Sequence, residues 1–345
     1  MVPPGPRGLL LAAGLSVDQV LDRPIDRAAR ASDASHYRLT PAAVVIARDA
    51  DDVARTITAC AANSVGVTFR SGGTSLSGQG ITDQVLVDTR RHFRAIEVLE
   101  EGRAVRTQPG ATVRAVNALL RPYGRRLGPD PASESACTIG GVVANNSSGM
   151  SCGTHANAYR TLLALNLVLP SGTRLDTGRP DADDELRRTE PALHAGLLEL
   201  RDRVRENADS LRTIRRLFAI KNTMGYGVNA FLDHDQPADI LAHLVVGSEG
   251  TLAFVASATF ATVPAPRFAS TGLLVLPSLA EAAAVLPEVA ATQPASIELM
   301  DTGSLMVATR GERAPAGLRA DTLAAQAALL VPRQLGLCRN RVALR

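Results

Sequence analysis

Apolar and polar positions in the first ninety residues follow the periods of alternating strands and helices. The apolar segment AAVVIAR (42–48) predicts a strand, DDVARTITACAANS (51–64) places its apolar residues on one helical face, and VGVTFR (65–70) predicts a second strand. A strand, a helix and a strand of about this length form a βαβ unit with parallel strands. The loop that follows the second strand is therefore expected at the carboxyl end of the sheet, where α/β proteins commonly bind ligands.

The same patterns continue to residue 264. They predict a strand at 83–90, a hairpin at 93–110 that turns at Glu101 and Gly102, and a helix from Gly110 to Gly124. A second hairpin is predicted at 161–177 and a helix at 191–207. From 236 onward the patterns predict a helix, a tight turn and a long strand ending at Pro264. RGLLLAAGLS (7–16) predicts the start of a helix and is too short for a membrane span. The segment between Gly124 and the second hairpin is long and irregular, and loops of such length are usually functional or disordered.

Beyond Pro264 the pattern begins again with a strand (271–277), a helix (278–292) and a strand (296–301). The last segment, 317–345, has weak helical patterning and no closing strand. We therefore expect a second domain that is incomplete in this chain, through a truncation or a frameshift.

Composition narrows the possible partners. The net charge is +3 without any block of like charge, Lys221 is the only lysine, and aromatic residues make up 3% of the chain, which disfavours nucleic acid and anionic membranes as main partners. The four cysteines (Cys60, Cys137, Cys152 and Cys338) have no paired spacing, and the histidines form no HxH or HExxH motif. Reduced thiols and no metal site are expected.

Three glycine-rich stretches share one chemistry. RSGGTSLSGQG (70–80), TIGGVVANNSSG (138–149) and GSEGTLAFV (247–255) offer backbone N–H groups without bulky side chains in front, as phosphate binding requires. Any one of them alone is as readily explained as a tight turn, but the three together favour a ligand. A Walker A loop is excluded because Lys221 follows Ile220, and a Rossmann fingerprint is excluded because GQGITD lacks the third glycine and GYGVNA also fails.

The ordered segments RSGGTSLSGQG, GPDPASESACTIGGVVANNSSG, NAYRTLLALNLVLPSG and VVGSEGTL resemble the FAD-binding domain of the vanillyl-alcohol oxidase and para-cresol methylhydroxylase (PCMH) type. Within that superfamily the chain is most similar to the glycolate oxidase, D-lactate dehydrogenase and D-2-hydroxyglutarate dehydrogenase branch. NNSSGM, IKNTMGYGVNA and IELMD resemble its long members, which carry an iron–sulfur domain further along.

The resemblance implies an α+β fold. A PCMH-type domain of two α/β subdomains holds FAD between them and is followed by a partial α+β, ferredoxin-like cap. The domains expected from it are an N-terminal arm (1–37), the FAD-binding domain (38–266) and the start of a substrate or cap domain (267–345).

The resemblance also implies the cofactor-binding residues. The first loop would hold the pyrophosphate, the second segment the flavin and ribityl chain, and the third the adenosine and diphosphate side; the residues are Arg70, Ser71, Gly72, Gly73, Thr74, Ser75, Ser133, Ser135, Thr138, Gly140, Gly141, Asn145, Ser148, Glu249, Gly250, Thr251, Leu252 and Val255. Thr74 stands where relatives with covalent flavin have a histidine, so noncovalent FAD is expected. A bulky residue at Gly73 is expected to abolish flavin retention by holding the diphosphate off the backbone.

The implied reaction is the oxidation of a D-2-hydroxy acid, of the lactate, glycolate or 2-hydroxyglutarate class, to the 2-oxo acid by hydride transfer to flavin N5. Electrons would pass to a quinone, a cytochrome or an iron–sulfur partner. The catalytic base is not identified: His155 and Lys221 are weak candidates, because a loop cap and a surface residue explain them as well. The alternative is a non-catalytic or partner-dependent flavin-binding subunit that lacks a complete cap. A cytoplasmic location, or one at the inner face of the membrane, is expected.

Overall fold

The computed structural model describes residues 5–223, 225–272, 274–301 and 303. Contacts divide the chain into two compact units, with the boundary between Ala265 and Pro266. Residues 317–345, with their weak helical patterning and Cys338, lie outside the described residues.

A small sheet forms the first layer of the first unit. Its strands are β1 (Val20–Leu21), β2 (Ala43–Ile46), β3 (Val67–Arg70) and β4 (Val85–Asp88), in the order β1-β2-β4-β3. Both β2 and β3 run parallel to β4, so β4 lies between the two strands of the predicted βαβ unit. Residues 5–37, expected to form an arm, join this layer, because β1 pairs with β2 and both Leu10 and Val20 are buried in its core.

Three helices accompany this sheet: α1 (Pro6–Ala12), α2 (Pro24–Ala28) and α3 (Ala50–Ala62). The predicted helix after β2 begins because the Asp49 carboxylate accepts a hydrogen bond from the Asp52 N–H at 2.9 Å, a standard N-cap. Val53 and Cys60 from its apolar face are fully buried against the sheet. The amphipathic pattern of the sequence therefore predicted correctly which face of this helix is buried.

A second, antiparallel sheet is built around one long strand. Its strands are β5 (Ile96–Leu99), β6 (Ala104–Thr107), β7 (Arg125–Leu127), β8 (Leu162–Val168), β9 (Arg174–Asp176) and β10 (Phe254–Pro264). The order is β5-β6-β10-β8-β9, and β7 pairs with the last residues of β10. Both predicted hairpins are confirmed. The first turns where expected, with positive φ values of 53° at Glu101 and 85° at Gly102.

Helices cover this second sheet. They are α4 (Val113–Leu120), α5 (Ile139–Ala144), α6 (Ala158–Thr161), α7 (Ala182–Thr189), α8 (Pro191–Glu206), α9 (Ala208–Phe218), α10 (Ala230–Asp233) and α11 (Pro237–Val245). The predicted helices correspond to α4, α8 and α11. The segment expected to be irregular contains β7, α5 and α6, which are too short to give a periodic signal of their own.

The described part of the second unit contains α12 (Leu279–Ala291), which confirms the predicted helix. The Ser278 hydroxyl caps it by accepting from the Glu281 N–H. The strands predicted at 271–277 and 296–301 are wrong for the residues described there, which form no strand. A strand requires hydrogen bonds to a neighbouring strand, and local apolar alternation cannot supply that neighbour.

Within the described part of the chain, every helix is too short or too polar to cross a lipid bilayer.

Candidate functional site

The three glycine-rich stretches converge on one cavity of about 410 Å³ in the first unit. The end of β3 and the loop after it form one wall, the segment around α5 forms a second, and the turn before β10 forms a third. Phe69 and Phe254 bring the two sheets together beside it, with ring centroids 5.0 Å apart. The cavity therefore lies where both sheets contribute residues.

The first loop is held from beneath by Arg70, the last residue of β3. Its guanidinium donates to the carbonyl oxygens of Ser32 at 2.7 Å and Arg30 at 3.2 Å. A Cβ at Gly73 would lie 2.8 Å from a guanidinium nitrogen of Arg70, and Gly73 has a φ of 66°, a conformation that favours glycine. A bulky residue at Gly73 would therefore clash with the Arg70 side chain and strain the loop. The sequence had instead predicted that such a side chain would hold a bound diphosphate away from the backbone.

Four consecutive N–H groups of this loop are unused. In the described chain, the backbone N–H groups of Gly72, Gly73, Thr74 and Ser75 donate to no protein acceptor. All four residues line the cavity, and the described lining includes no lysine or arginine. Backbone N–H groups in a turn of this kind form a binding surface for an anion.

Glycines also let the first two walls approach closely. A Cβ at Gly72 would lie 2.6 Å from the carbonyl oxygen of Ala136. Beside it the Ser71 hydroxyl donates to the Pro109 carbonyl oxygen at 2.9 Å. Because a hydroxyl has one proton to donate, the hydrogen bond between Ser71 and Thr138 is donated by the Thr138 hydroxyl. Gly72 is therefore required for packing between backbone segments.

Gly141, on α5, has a different environment. A Cβ added there would have no protein atom from outside its own helix within 4 Å, and the Gly141 N–H donates to no acceptor in the described residues. Gly141 lines the cavity. Its missing side chain therefore leaves open space that a ligand can occupy.

The third wall contributes Ser248 and Glu249. The Ser248 hydroxyl is buried and has no hydrogen-bond partner within the described structure, which is uncommon for a buried polar atom. Glu249 adopts a positive φ of 52°, and its N–H donates to the Ala144 carbonyl oxygen at 2.9 Å, which ties this turn to α5. Burial raises the pKa of the Glu249 carboxyl.

Comparison with known proteins explains this arrangement. Residues 41–178 match the family described as "FAD binding domain". These residues form an FAD-binding domain of that family. The match includes two of the three cavity walls.

Curated relatives extend the similarity beyond this domain. The chain is 32% identical over 291 residues to "D-2-hydroxyglutarate dehydrogenase" of Pseudomonas putida, covering 82% of this chain and 29% of that protein. It is 31% identical over 151 residues to "Glycolate oxidase subunit GlcD" of Escherichia coli, covering 43% of this chain and 30% of that protein. The chain thus spans less than a third of the length of either relative.

Solved structures share the fold. An "alkyldihydroxyacetonephosphate synthase" matches with a TM-score of 0.60 at 19% identity, covering 88% of this chain and 49% of that one. A xylooligosaccharide oxidase from Myceliophthora thermophila C1 matches with a TM-score of 0.52 at 17% identity, covering 76% of this chain and 44% of that one. The α+β, PCMH-type architecture is therefore confirmed for the first unit.

FAD fits the cavity of this FAD-binding domain. The unused N–H groups of the first loop suit a diphosphate, the open space at Gly141 admits a ligand against the backbone, and the unpartnered Ser248 hydroxyl offers a hydrogen bond.

Most of the residues predicted to bind the cofactor line the cavity: Ser71, Gly72, Gly73, Thr74, Ser75, Ser133, Gly140, Gly141, Asn145, Glu249, Gly250 and Val255. Six lie outside the lining: Arg70, Ser135, Thr138, Ser148, Thr251 and Leu252. Arg70 and Thr138 instead fix the walls through the hydrogen bonds described above. Thr251 donates to the Ser248 carbonyl oxygen at 2.6 Å and so shapes the turn that carries Ser248 and Glu249.

Sequence reasoning missed several lining residues, among them Ser248, Pro109 and Cys137. Ser248 is part of the third glycine-rich stretch, so its position in GSEG was the available signal. Cys137 is buried, and burial raises the pKa of its thiol. No pattern in the sequence distinguishes it from Cys152, which is buried outside the lining.

The two weak catalytic candidates lie away from the lining. His155 is exposed and does not line the cavity. Lys221 is also exposed, and its ammonium group donates to the Gly149 carbonyl oxygen at 3.0 Å. Within the described lining, Glu249 and Cys137 are the residues that can titrate.

Proposed function

We propose that this chain is the flavin-binding part of a dehydrogenase that oxidises a D-2-hydroxy acid of the lactate, glycolate or 2-hydroxyglutarate class. The FAD-binding domain supports the cofactor, and the relatives named for D-2-hydroxyglutarate and glycolate support the substrate class. The single observation that carries the proposal is the convergence of unused backbone N–H groups from the first loop with Gly141 on one cavity.

The proposed binding mode assigns a task to each wall. The N–H groups of Gly72 to Ser75 hold the diphosphate, and Gly141 allows close approach of the cofactor to α5. Ser248 donates or accepts one hydrogen bond from the buried side. Ser133, Gly140, Asn145, Gly250 and Val255 complete the lining. Arg70, Thr138 and Thr251 fix its walls through the hydrogen bonds described above, and Ser135, Ser148 and Leu252 lie outside the lining.

The cofactor is held without a covalent bond in this proposal. No histidine or tyrosine belongs to the described lining, and Thr74 stands at the loop position that resembles the site of a flavin-linked histidine in relatives with covalent flavin. Cys137 is the one thiol in that lining, and its raised pKa keeps it in the neutral, less nucleophilic form.

When bound, FAD supplies the oxidising centre that accepts a hydride from the substrate's α-carbon. The chain's own residues bind and orient the cofactor and exclude water from one side of it. The absence of histidine and lysine from the described lining favours a second candidate, a flavin-binding subunit that depends on further residues for catalysis.

Anaerobic absorbance spectra test both candidates. We expect purified protein to be yellow, to lose its absorbance near about 450 nm on addition of D-2-hydroxyglutarate, D-lactate or glycolate, and to release all flavin into the supernatant after acid precipitation. A yellow protein that no hydroxy acid bleaches would support the subunit. A colourless protein that takes up no added FAD would contradict both.

The electron acceptor in this proposal is a quinone, a cytochrome or an iron–sulfur protein or domain. The location proposed is the cytoplasm or the inner face of the membrane. Three cysteines in the described structure, Cys60, Cys137 and Cys152, are free thiols, which is consistent with a reducing compartment.

A further inference from the structure

A second pocket lies at the carboxyl edge of the small sheet. Its volume is about 240 Å³, and its lining consists of Leu21, Ile46, Arg30, Arg90, Arg91 and Asp88. Ile46 and Asp88 are paired at the ends of the parallel strands β2 and β4. Ligands commonly bind at this edge of a parallel sheet.

This pocket is separate from the FAD cavity. The two share no lining residue, although the consecutive residues Asp88 and Thr89 line one each. Its volume is also below the roughly 300–1,000 Å³ of pockets for organic ligands. The pocket is therefore suited to a small ion and does not belong to the cofactor site.

A buried carboxylate fixes two of the arginines. Asp88 is buried, and it accepts from Arg90 at 3.0 Å on one oxygen and at 2.7 Å on the other, a bidentate pair. Arg30 donates to the second oxygen at 3.4 Å. These bonds hold both guanidinium groups at the pocket.

One carboxylate cannot neutralise this pocket. Three guanidinium groups against Asp88 leave a net charge of +2 in the lining. Arg91 makes no hydrogen bond or ion pair within the described chain, and the described bonds leave Arg90 Nη1 and Arg30 Nη2 free. The positive charge of the pocket also acts on the neighbouring Arg70. The pKa of Arg70 is lowered, mainly by burial and next by the charge of Arg90.

We propose that this arginine pocket, defined by Arg30, Asp88, Arg90 and Arg91, binds a small oxyanion, a phosphate or a carboxylate. The planar guanidinium groups match the oxygen pairs of such anions, Asp88 preorganises two of them, and Arg91 supplies the unpaired charge. Leu21 and Ile46 shield one side of the anion from water and strengthen its attraction to the arginines.

Calorimetric titration at low ionic strength, with excess FAD present to occupy the larger cavity, tests the proposal. Inorganic phosphate and malonate are the two probes, and sodium chloride at matched ionic strength is the reference. We expect saturable binding of at least one probe to the unchanged protein, and the tighter of the two identifies the anion. Arg91→Gln should weaken that binding about tenfold or more, because one charge-assisted hydrogen-bonding group is lost.

Arg94→Gln is the matched control, since Arg94 is an exposed arginine close in sequence that does not line the pocket. It should bind like the unchanged protein. Arg91 has no described partner to lose, so thermal unfolding of Arg91→Gln should match that of the control. Absence of saturable binding for both probes, or equal affinity in Arg91→Gln, would overturn the proposal, and neither outcome depends on the oxidation of a hydroxy acid.

Discussion

Glycine occurs at positions 72 and 141 for different physical reasons. Gly72 lies against the backbone of Ala136, whereas Gly141 faces open space in the FAD cavity. Both belong to glycine-rich stretches that look alike in sequence. The sequence therefore identifies the stretches that line the cavity. Which glycine packs against backbone and which one leaves room for a ligand depends on contacts between residues far apart in the chain.

Replacement of Gly72 should destabilise the protein. In Gly72→Ala the new Cβ would meet the Ala136 carbonyl oxygen at 2.6 Å, so backbone must move, which costs about 1–3 kcal/mol. Urea unfolding of the flavin-free protein measures this loss. Gly196→Ala is the control. Gly196 lies within α8 with no protein atom from outside that helix within 4 Å of its Cβ position, so alanine there should raise the free energy of unfolding by about 0.5–1 kcal/mol. A Gly72→Ala variant as stable as the unchanged protein would show that the two walls do not pack as described.

At the level of elements, the sequence predicted segments with a strong periodic pattern correctly, but it did not predict the short elements. The apolar alternation of β8 and the amphipathic face of α3 were both predicted. By contrast, β7 has three residues and exists because it pairs with the end of β10, more than a hundred residues away. The two segments after Pro266 that were predicted as strands have the apolar pattern of a strand, but no described strand lies beside them and they form none. Whether these segments form strands therefore depends on a neighbouring strand to pair with, and not on local β propensity.

A polar contact between α10 and α11 makes the fold sensitive to acid. The His243 ring stacks on His234 with centroids 3.8 Å apart, and its Nδ1 donates to the Asp239 carbonyl oxygen at 2.9 Å. Burial, and after it the charge of the neighbouring His234, lowers the pKa of His243 to about 4. Because the unfolded chain binds this proton more tightly, the contribution to stability is complete above the ordinary pKa of about 6.5 and is lost as the pH falls toward 4.

His243→Gln should therefore reduce the dependence of stability on pH. The free energy of unfolding of the variant should fall less steeply between about pH 6.5 and 4, whatever its value at neutral pH. Urea denaturation at several pH values measures the slope. His92→Gln, which replaces an exposed histidine, should retain the slope of the unchanged protein. An unchanged slope in His243→Gln would contradict the assignment of acid sensitivity to this contact.

At the scale of the whole molecule, the first unit brings three distant segments to one cavity. Phe254 joins the sheets by packing against Phe69 and Phe93, so the turn before β10 comes to lie beside the loop after β3. The order of motifs in the sequence predicted this convergence through resemblance to a known family. The arginine pocket had no such signal, because its three arginines are scattered among 34 other arginines and lysines that give no pattern.

We propose that backbone groups without side chains in front of them hold FAD in the cavity. Gly141→Ala tests this binding mode, because the added methyl contacts no protein atom outside its own helix and lies where alanine is favoured over glycine. Calorimetric titration with FAD should show binding to the unchanged protein and to Gly196→Ala, and at least tenfold weaker binding to a Gly141→Ala protein that unfolds no more easily. Equal FAD affinity in Gly141→Ala would contradict this binding mode.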